Sequence, residues 1–346
     1  MPKKITYKSS GVDIGKADLA LRKIKSLAQS TFTPGVLSEL GKFGGFFALK
    51  KKYKEPVLIS STDSVGTKLK VAFMLNLHDT VGEDLVNHCV NDILVHGAKP
   101  LFFLDYIGTS RLEPEVVKNI VSGLSRGCRR VGCALVGGEM AELPEFYKKG
   151  EYDLVGFIVG VVEREKIIDG SSISPGDQIL GLRSNGLHTN GYSLARRVIF
   201  DAGKFKAGDY INDLRTTIGR ELLKVHRCYA PSIFNILKRH KIKGMAHITG
   251  GGISGNLYRI LPEGCKAIID TKNWKKPPII SFIQKTGGID PEEMYKVFNM
   301  GIGLVLLVSG KEKELVEKKL KKRKERVYHI GEIVSGKRGV KLLNIG

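Results

Sequence analysis

Short apolar runs of strand length alternate with amphipathic stretches of helical length along most of the 346 residues, and this alternation is what most constrains the fold. Apolar residues at 19, 20, 24, 27 and 28 recur at helical spacing and predict a helix over 17–29. Buried strands are predicted at 57–61, 101–107, 133–136 and 154–162, with helices at 83–96 and 114–131 between them. The helix at 83–96 ends at Gly97 with Pro100 beyond it, and the one at 114–131 opens on Pro114, whose missing N–H would have no partner at a first helical position. Turn signals in Asp169-Gly-Ser-Ser and Pro175-Gly-Asp177 change the texture. The alternation then resumes, with strands at 178–182, 267–270, 304–308 and 328–333 and helices at 192–201, 231–239, 292–298 and 311–324. At about 150 residues per domain, this length suggests two domains. We expect two α/β (α+β) domains, 1–170 and 171–346. A glycine turn follows an apolar segment in each, VGGE at 136–139 and ITGGG at 248–252, which hints at related halves.

The chain carries 56 Lys and Arg against 35 Asp and Glu, a net charge of +21. Such a field concentrates anions. Nucleic acid, an anionic membrane and phosphorylated small molecules are all candidates. Much of the charge lies in runs at Lys50–Lys52, Lys275–Lys276 and Lys318–Lys324. The last interleaves with Leu315, Val316 and Leu320 at helical spacing and reads as the wet face of a helix. No zinc-finger spacing or aromatic RNA-binding motif accompanies the charge, so no nucleic-acid partner is expected. Five cysteines, an odd count with no CxxC, fit a reduced, cytoplasmic compartment, with Cys128 and Cys133 as core or helix residues. Residues 1–13 are basic without an apolar stretch and do not read as a signal peptide. The longest apolar run, near 301–308, is too short to span a bilayer, so no membrane partner is expected.

Five constellations have the residue types for chemistry. The segment SSTDSVGTK at 60–68 leaves a strand and puts Asp63, Thr67 and Lys68 in one turn. A carboxylate there suits a hard cation, and the hydroxyl, ammonium and backbone N–H groups suit phosphate oxygens; a polar loop with an Asx turn is the plainer reading. On the helix at 83–96, Asn91 and Asp92 fall one turn beyond Asn87 and His88. His88, Asp92 and His96 share a face at a spacing compatible with zinc, or simply with a carboxylate between two solvated histidines. Gly137, Gly138 and Glu139 would let backbone approach a ligand closely, with Glu139 pointing into that space. Three acids, Asp63, Asp92 and Glu139, in so basic a protein call for magnesium bridging to phosphates. The polar loop SNGLHTNGYS at 184–193 enters a helix at Tyr192, offering an anion site with His188 as a hydrogen-bond donor or proton shuttle, or else a turn capped by Asn190. HITGGGISGN at 247–256 is a second glycine-rich anion cradle, out of register with a dinucleotide fingerprint.

Taken in order, TDSVGTK, HCVNDILVHGAKPLFFLDY, LVGGEMAELP, NGLHTNGYSLAR, HITGGGISGN and MYKVFNMGIG resemble the aminoimidazole ribonucleotide synthetases, as does the opening YKSSGVD at 7–13. The resemblance runs from about residue 5 to residue 335. It implies two α/β domains in a homodimer whose N-terminal sheets join into a β-barrel across the subunits. It implies a small-molecule substrate, formylglycinamidine ribonucleotide, whose formamide oxygen is activated by ATP before an internal nitrogen closes the imidazole ring. On that reading Asp63, Asp92 and Glu139 hold Mg2+, and the nucleotide lies against Gly44, Gly45, Asp63, Thr67, Lys68, Asn91, Gly137, Gly138 and Glu139. Gly44 and Gly45 belong to the family's mobile glycine-rich segment, here residues 41–47. Asn190, Ser193, Gly250, Gly251 and Gly252 hold the ribose phosphate or the reacting amide, and His188, His247 and Lys68 are the catalytic candidates. Two departures stand out: Ser64 where the family reads glycine, and Met140 where it reads threonine. A selenophosphate synthetase, of related architecture, would show a reactive cysteine in the N-terminal glycine-rich loop, but the first cysteine is Cys89.

Overall fold

The computed structural model describes residues 5–49 and 53–345, so the Lys50–Lys52 run lies outside the described residues. The chain divides into two compact units, one comprising Met1–Val90 and Lys99–Val161, the other Asn91–Ala98 and Val162–Gly346.

The first unit contains α1 (Ile14–Gln29), β1 (Pro56–Ser64), α2 (Leu69–Leu75), most of α3 (Asp79–Leu94), β2 (Lys99–Thr109), α4 (Pro114–Val131), β3 (Ala134–Glu142) and nearly all of β4 (Tyr152–Glu163). Asp13 caps α1 by accepting from the N–H groups of Gly15 and Lys16, which have no intrahelical partner. The sheet order is β1-β4-β2-β3, with β2 antiparallel to β4 and parallel to β3. Leu85, Phe103, Ile120, Leu124 and Leu154 are fully buried and form its core. α3 and α4 meet through two glycines. A Cβ on Gly82 would stand 2.1 Å from the Ile120 carbonyl oxygen, and one on Gly123 would stand 2.1 Å from that of Asp79. Arg126 on α4 ties the same crossing to Asp79 and Glu83.

The second unit contains β5 (Gln178–Arg183), α5 (Tyr192–Arg196), β6 (Tyr210–Ile211), β7 (Thr216–Thr217), α6 (Ile218–Leu222), α7 (Ala230–Ile236), β8 (Gly244–His247), α8 (Gly252–Tyr258), β9 (Cys265–Asp270), α9 (Pro278–Gly287), α10 (Pro291–Val297), β10 (Ile302–Val308), α11 (Gly310–Lys322), β11 (Val327–Ser335) and β12 (Gly339–Leu343). Six strands form one sheet in the order β12-β9-β11-β5-β10-β8, antiparallel except for β12 against β9. Every residue of β10 is buried, as its unbroken apolar sequence requires of a central strand. On α11, Val316 and Leu320 are buried while Lys318, Lys321 and Lys322 face solvent, as their spacing predicts.

Several local expectations change. Gly137, Gly138 and Glu139 are not a turn after a strand but part of β3, because parallel pairing with β2 continues from Phe102↔Ala134 to Thr109↔Glu142. α3 starts at Asp79 and ends at Leu94. His96 therefore leaves the helical face it was to share with His88 and Asp92, and its Nδ1 lies 3.2 Å from the Ile168 carbonyl oxygen. The helix expected at 192–201 becomes π-helical over Arg197–Ala202. All five cysteines are free, with Cys128 and Cys133 buried. Among the described residues, no helix is long and apolar enough to cross a membrane.

Candidate functional site

In the first unit a cavity of about 790 Å³ opens between α1, the loop at 40–45, β2 and β3. This size is typical of small-molecule sites, roughly 300–1,000 Å³. Gly44, Gly45, Gly137, Gly138 and Glu139, expected at a nucleotide from sequence, all line it, and Met140 stands beside them. Arg22 and Lys25 of α1 bring positive charge to its wall. Its other acid is Asp105 on β2, directly across the ladder from Gly138. Burial pushes the Asp105 carboxyl up to about 7, because loss of water penalises the charged form. A Cβ on Gly138 would stand 2.5 Å from Asp105 Oδ1 and 2.7 Å from the Asp105 carbonyl oxygen, so only glycine fits there.

Asp63 lies near the C-terminal end of β1, with Thr67 and Lys68 in the turn that follows, and none of the three is among the residues lining this cavity. Asp63 accepts from the Ser64 N–H at 2.7 Å and pairs with His88 Nε2 at 2.8 Å. Ser64 sits within β1 and has no positive φ, so replacing the family's glycine imposes no left-handed strain. Gly66-Thr67-Lys68 forms a single 3-10 turn with Gly66 at φ 67° and Thr67 exposed. Lys68 does not point outward. Its ammonium is fully buried, 2.8 Å from Asp84, which is also fully buried. Burial lowers the Lys68 pKa, and the Asp84 carboxylate opposes that shift.

The second unit gathers histidines. His247, the last residue of β8, places Nδ1 2.8 Å from Asp92 Oδ1. Its Nε2 lies 3.0 Å from His226 Nε2. The His226 ring stacks on His188 with centroids 4.1 Å apart, and its Nδ1 lies 3.2 Å from Thr189 Oγ1. His188 sits at φ 64°, a costly conformation for a residue with a side chain. Ring nitrogens of His188, His226 and His247 all come within 4.8 Å of one another, and all three residues are buried. Asn91, expected at the nucleotide, turns its amide to His226, Arg227 and Tyr229. Asn190 Oδ1 accepts from the Gly250 N–H at 3.1 Å, which brings the two polar loops together. Asn256 fastens the Gly250–Gly252 turn by donating to the carbonyls of Thr249, Gly250 and Gly252. Ser193 is exposed on α5.

Sequence reasoning missed His226 and Asp105. His226 stands alone among polar and apolar neighbours with no glycine or acid at a telling offset. Asp105 lies inside an apolar strand, where an isolated acid was itself a signal.

Two family models match this arrangement: the AIR synthase related protein N-terminal domain over residues 49–162 and its C-terminal domain over residues 174–343. The phosphoribosylformylglycinamidine cyclo-ligase of Pseudothermotoga lettingae is 53% identical, covering 97% of this chain and 98% of its own. The chain belongs to this family. The cyclo-ligase family also includes a Syntrophotalea carbinolica member that is 52% identical over 96% of this chain and 95% of its own. More distant solved structures share the fold alone. Thiamine-monophosphate kinase from Stenotrophomonas maltophilia is 14% identical with a TM-score of 0.67, covering 93% of this chain and 95% of its own. The hydrogenase maturation protein HypE, solved in complex with ATP, is 17% identical with a TM-score of 0.67, covering 96% and 92%.

Proposed function

We propose that this chain is a phosphoribosylformylglycinamidine cyclo-ligase, closing formylglycinamidine ribonucleotide to aminoimidazole ribonucleotide with ATP consumed and ADP and phosphate released. The observation that carries this reading is the match to a cyclo-ligase at 53% identity along essentially the whole of both chains. ATP is placed against the glycines and Glu139 of the first unit's cavity. The cavity is large enough for a nucleotide, its glycines allow close backbone approach, and Arg22 and Lys25 balance phosphate charge. Asp63 and Glu139 offer the hard oxygens that magnesium takes. When bound, magnesium would supply neutralisation of the phosphate charge.

The chain's own groups would orient and exclude. Thr67, exposed on its turn, is assigned to phosphate contact. Lys68 is assigned a different task from the one its sequence suggests: buried against Asp84, it braces the turn that carries Thr67 and follows Asp63. Asn190, Ser193 and the turn at Gly250, Gly251 and Gly252 are assigned to the ribonucleotide. His188 and His247 are placed nearest the ring-closing step. Holding the nitrogen against the activated carbon can itself supply ~7–11 kcal/mol. We further propose the homodimer with a barrel built from two first-unit sheets. β1 has no buried residue, and Leu58 on it and Phe157 on β4 are exposed, which suits a sheet face completed by a second copy. The reaction is assigned to a cytoplasmic enzyme, in keeping with five free thiols.

The test is direct. Purified protein with magnesium, ATP and formylglycinamidine ribonucleotide should form the aminoimidazole and release ADP only when the ribonucleotide is present. Absence of the aminoimidazole product sinks the assignment. Light scattering that returned a monomer at micromolar concentration would remove the barrel.

A further inference from the structure

His226 lies outside every motif that carries the family resemblance, yet it is fully buried at the middle of the histidine cluster. Its hydrogen-bond partners fix its orientation. The Tyr229 backbone N–H donates to Asn91 Oδ1 at 3.1 Å, which identifies the oxygen of that amide. The atom of Asn91 turned to His226 is therefore Nδ2, which donates to the Arg227 carbonyl at 2.8 Å and stands 3.2 Å from His226 Nε2. His226 Nδ1 lies 3.2 Å from the Thr189 hydroxyl. Its Nε2 faces His247 Nε2 at 3.0 Å, and one of the two carries the hydrogen between them. The other nitrogen of His247 donates to Asp92 Oδ1 at 2.8 Å. Held at both nitrogens, the His247 ring has one plane and one rotamer.

We propose that His226 is a positioning residue for His247, holding from the Nε2 side a ring that Asp92 holds from the Nδ1 side. The line Asp92–His247–His226–Thr189 runs to the loop that also carries Asn190, whose contact with Gly250 joins the two proposed ribonucleotide segments. His226 thereby couples the ring at the end of β8 to the loop at 188–190. This role rests on the cyclo-ligase reading, because it gives His247 a part in ring closure. A buried histidine that merely filled space would need neither the oriented amide of Asn91 nor a ring nitrogen facing His247.

Two variants and one spectrum decide it. His226→Leu keeps bulk but removes the ring nitrogens, and His226→Gln restores a hydrogen-bonding amide near the position of Nε2. We expect His226→Leu to lower kcat roughly 10–100-fold with KM for ATP and for the ribonucleotide within about threefold, and His226→Gln to recover to within about fivefold of wild type. Nitrogen-15 spectra of the histidine rings should show a coupling across the hydrogen bond between His226 Nε2 and His247 Nε2 in the wild-type protein. A kcat within about twofold of wild type for His226→Leu overturns the proposal. So does equal loss in both variants accompanied by a lowered melting temperature, which marks a purely structural role. Absence of that coupling also overturns it. If wild-type protein makes no aminoimidazole, the functional assignment fails while the spectrum still decides the geometry of His226.

Discussion

The two units carry polar groups in opposite ways. The first spreads them around an accessible cavity, where Gly137, Gly138 and Glu139 run along a strand and Arg22 and Lys25 stand on a helix. The second packs them together below the surface, with His188, His226 and His247 within 4.8 Å of one another. An accessible wall of glycine and charge suits a large, highly charged ligand that brings its own counter-ion and water. A buried ring cluster holds a few atoms at fixed orientation and tolerates little substitution. Positioning one phosphate chain and steering one ring closure are different tasks, and the proposed assignment of ATP to the first unit and ring closure to the second is in keeping with these two textures.

That contrast can be broken in four ways. The largest effect should come from Asp63→Asn, which removes a proposed cation ligand but leaves the Ser64 contact open to the amide oxygen. Turnover measured by ADP release should fall by roughly 10²–10³-fold with an unchanged circular dichroism spectrum. Near-normal turnover would remove Asp63 from the site. Next is Lys68→Met, which leaves Asp84 buried without its ammonium and should destabilise the protein by ~3–5 kcal/mol in urea unfolding. If stability held while the KM for ATP rose sharply, Lys68 would be a phosphate contact after all. Gly138→Ala should cost ~1–3 kcal/mol, since its methyl must displace Asp105, and should weaken ATP binding measured by calorimetry. Unchanged binding would separate the cavity from the nucleotide.

The fourth effect is one of pH. The folded protein holds the Asp105 carboxyl at about 7, against an ordinary carboxylate value of 3.8. The unfolded chain gives up this proton first, so the protonated form favours folding below 3.8, and that contribution is lost as pH rises towards 7. Asp105→Asn lacks this titration. Its stability relative to wild type should therefore rise across that window and level off above it, as followed by thermal melts at stepped pH. A constant difference would mean that Asp105 is hydrated and ionises normally.

Much of the fold was legible because its signals are local. α4 runs over Pro114–Val131 as read from sequence, bounded by Pro114 at its start and by Gly132 at φ 67° after its end. β10 announced itself by an unbroken apolar run. What stayed hidden was set by partners distant in sequence. Gly137 and Gly138 look like turn residues, but the pairing partner β2 and the Asp105 side chain decide that a strand passes there. β8, four residues long, reads as strand only because β10 lies beside it. The same distinction runs through the candidate site. Asp63, Glu139 and His188 sit in glycine-marked motifs, whereas the partners of Lys68, Asn91 and His226 lie 16, 138 and 21 residues away.

The crossing of α3 and α4 has a consequence for how this sequence can drift. Gly82 and Gly123 each leave just enough space for the other helix's carbonyl, at positions 2.1 Å from where a methyl would sit. Neither can acquire a side chain alone, and acquiring both at once would force the backbones apart rather than relieve the clash. The pair behaves as a lock with no intermediate setting: a lineage that keeps this crossing keeps both glycines, and one that abandons it must re-aim Arg126 and its two acids in the same step.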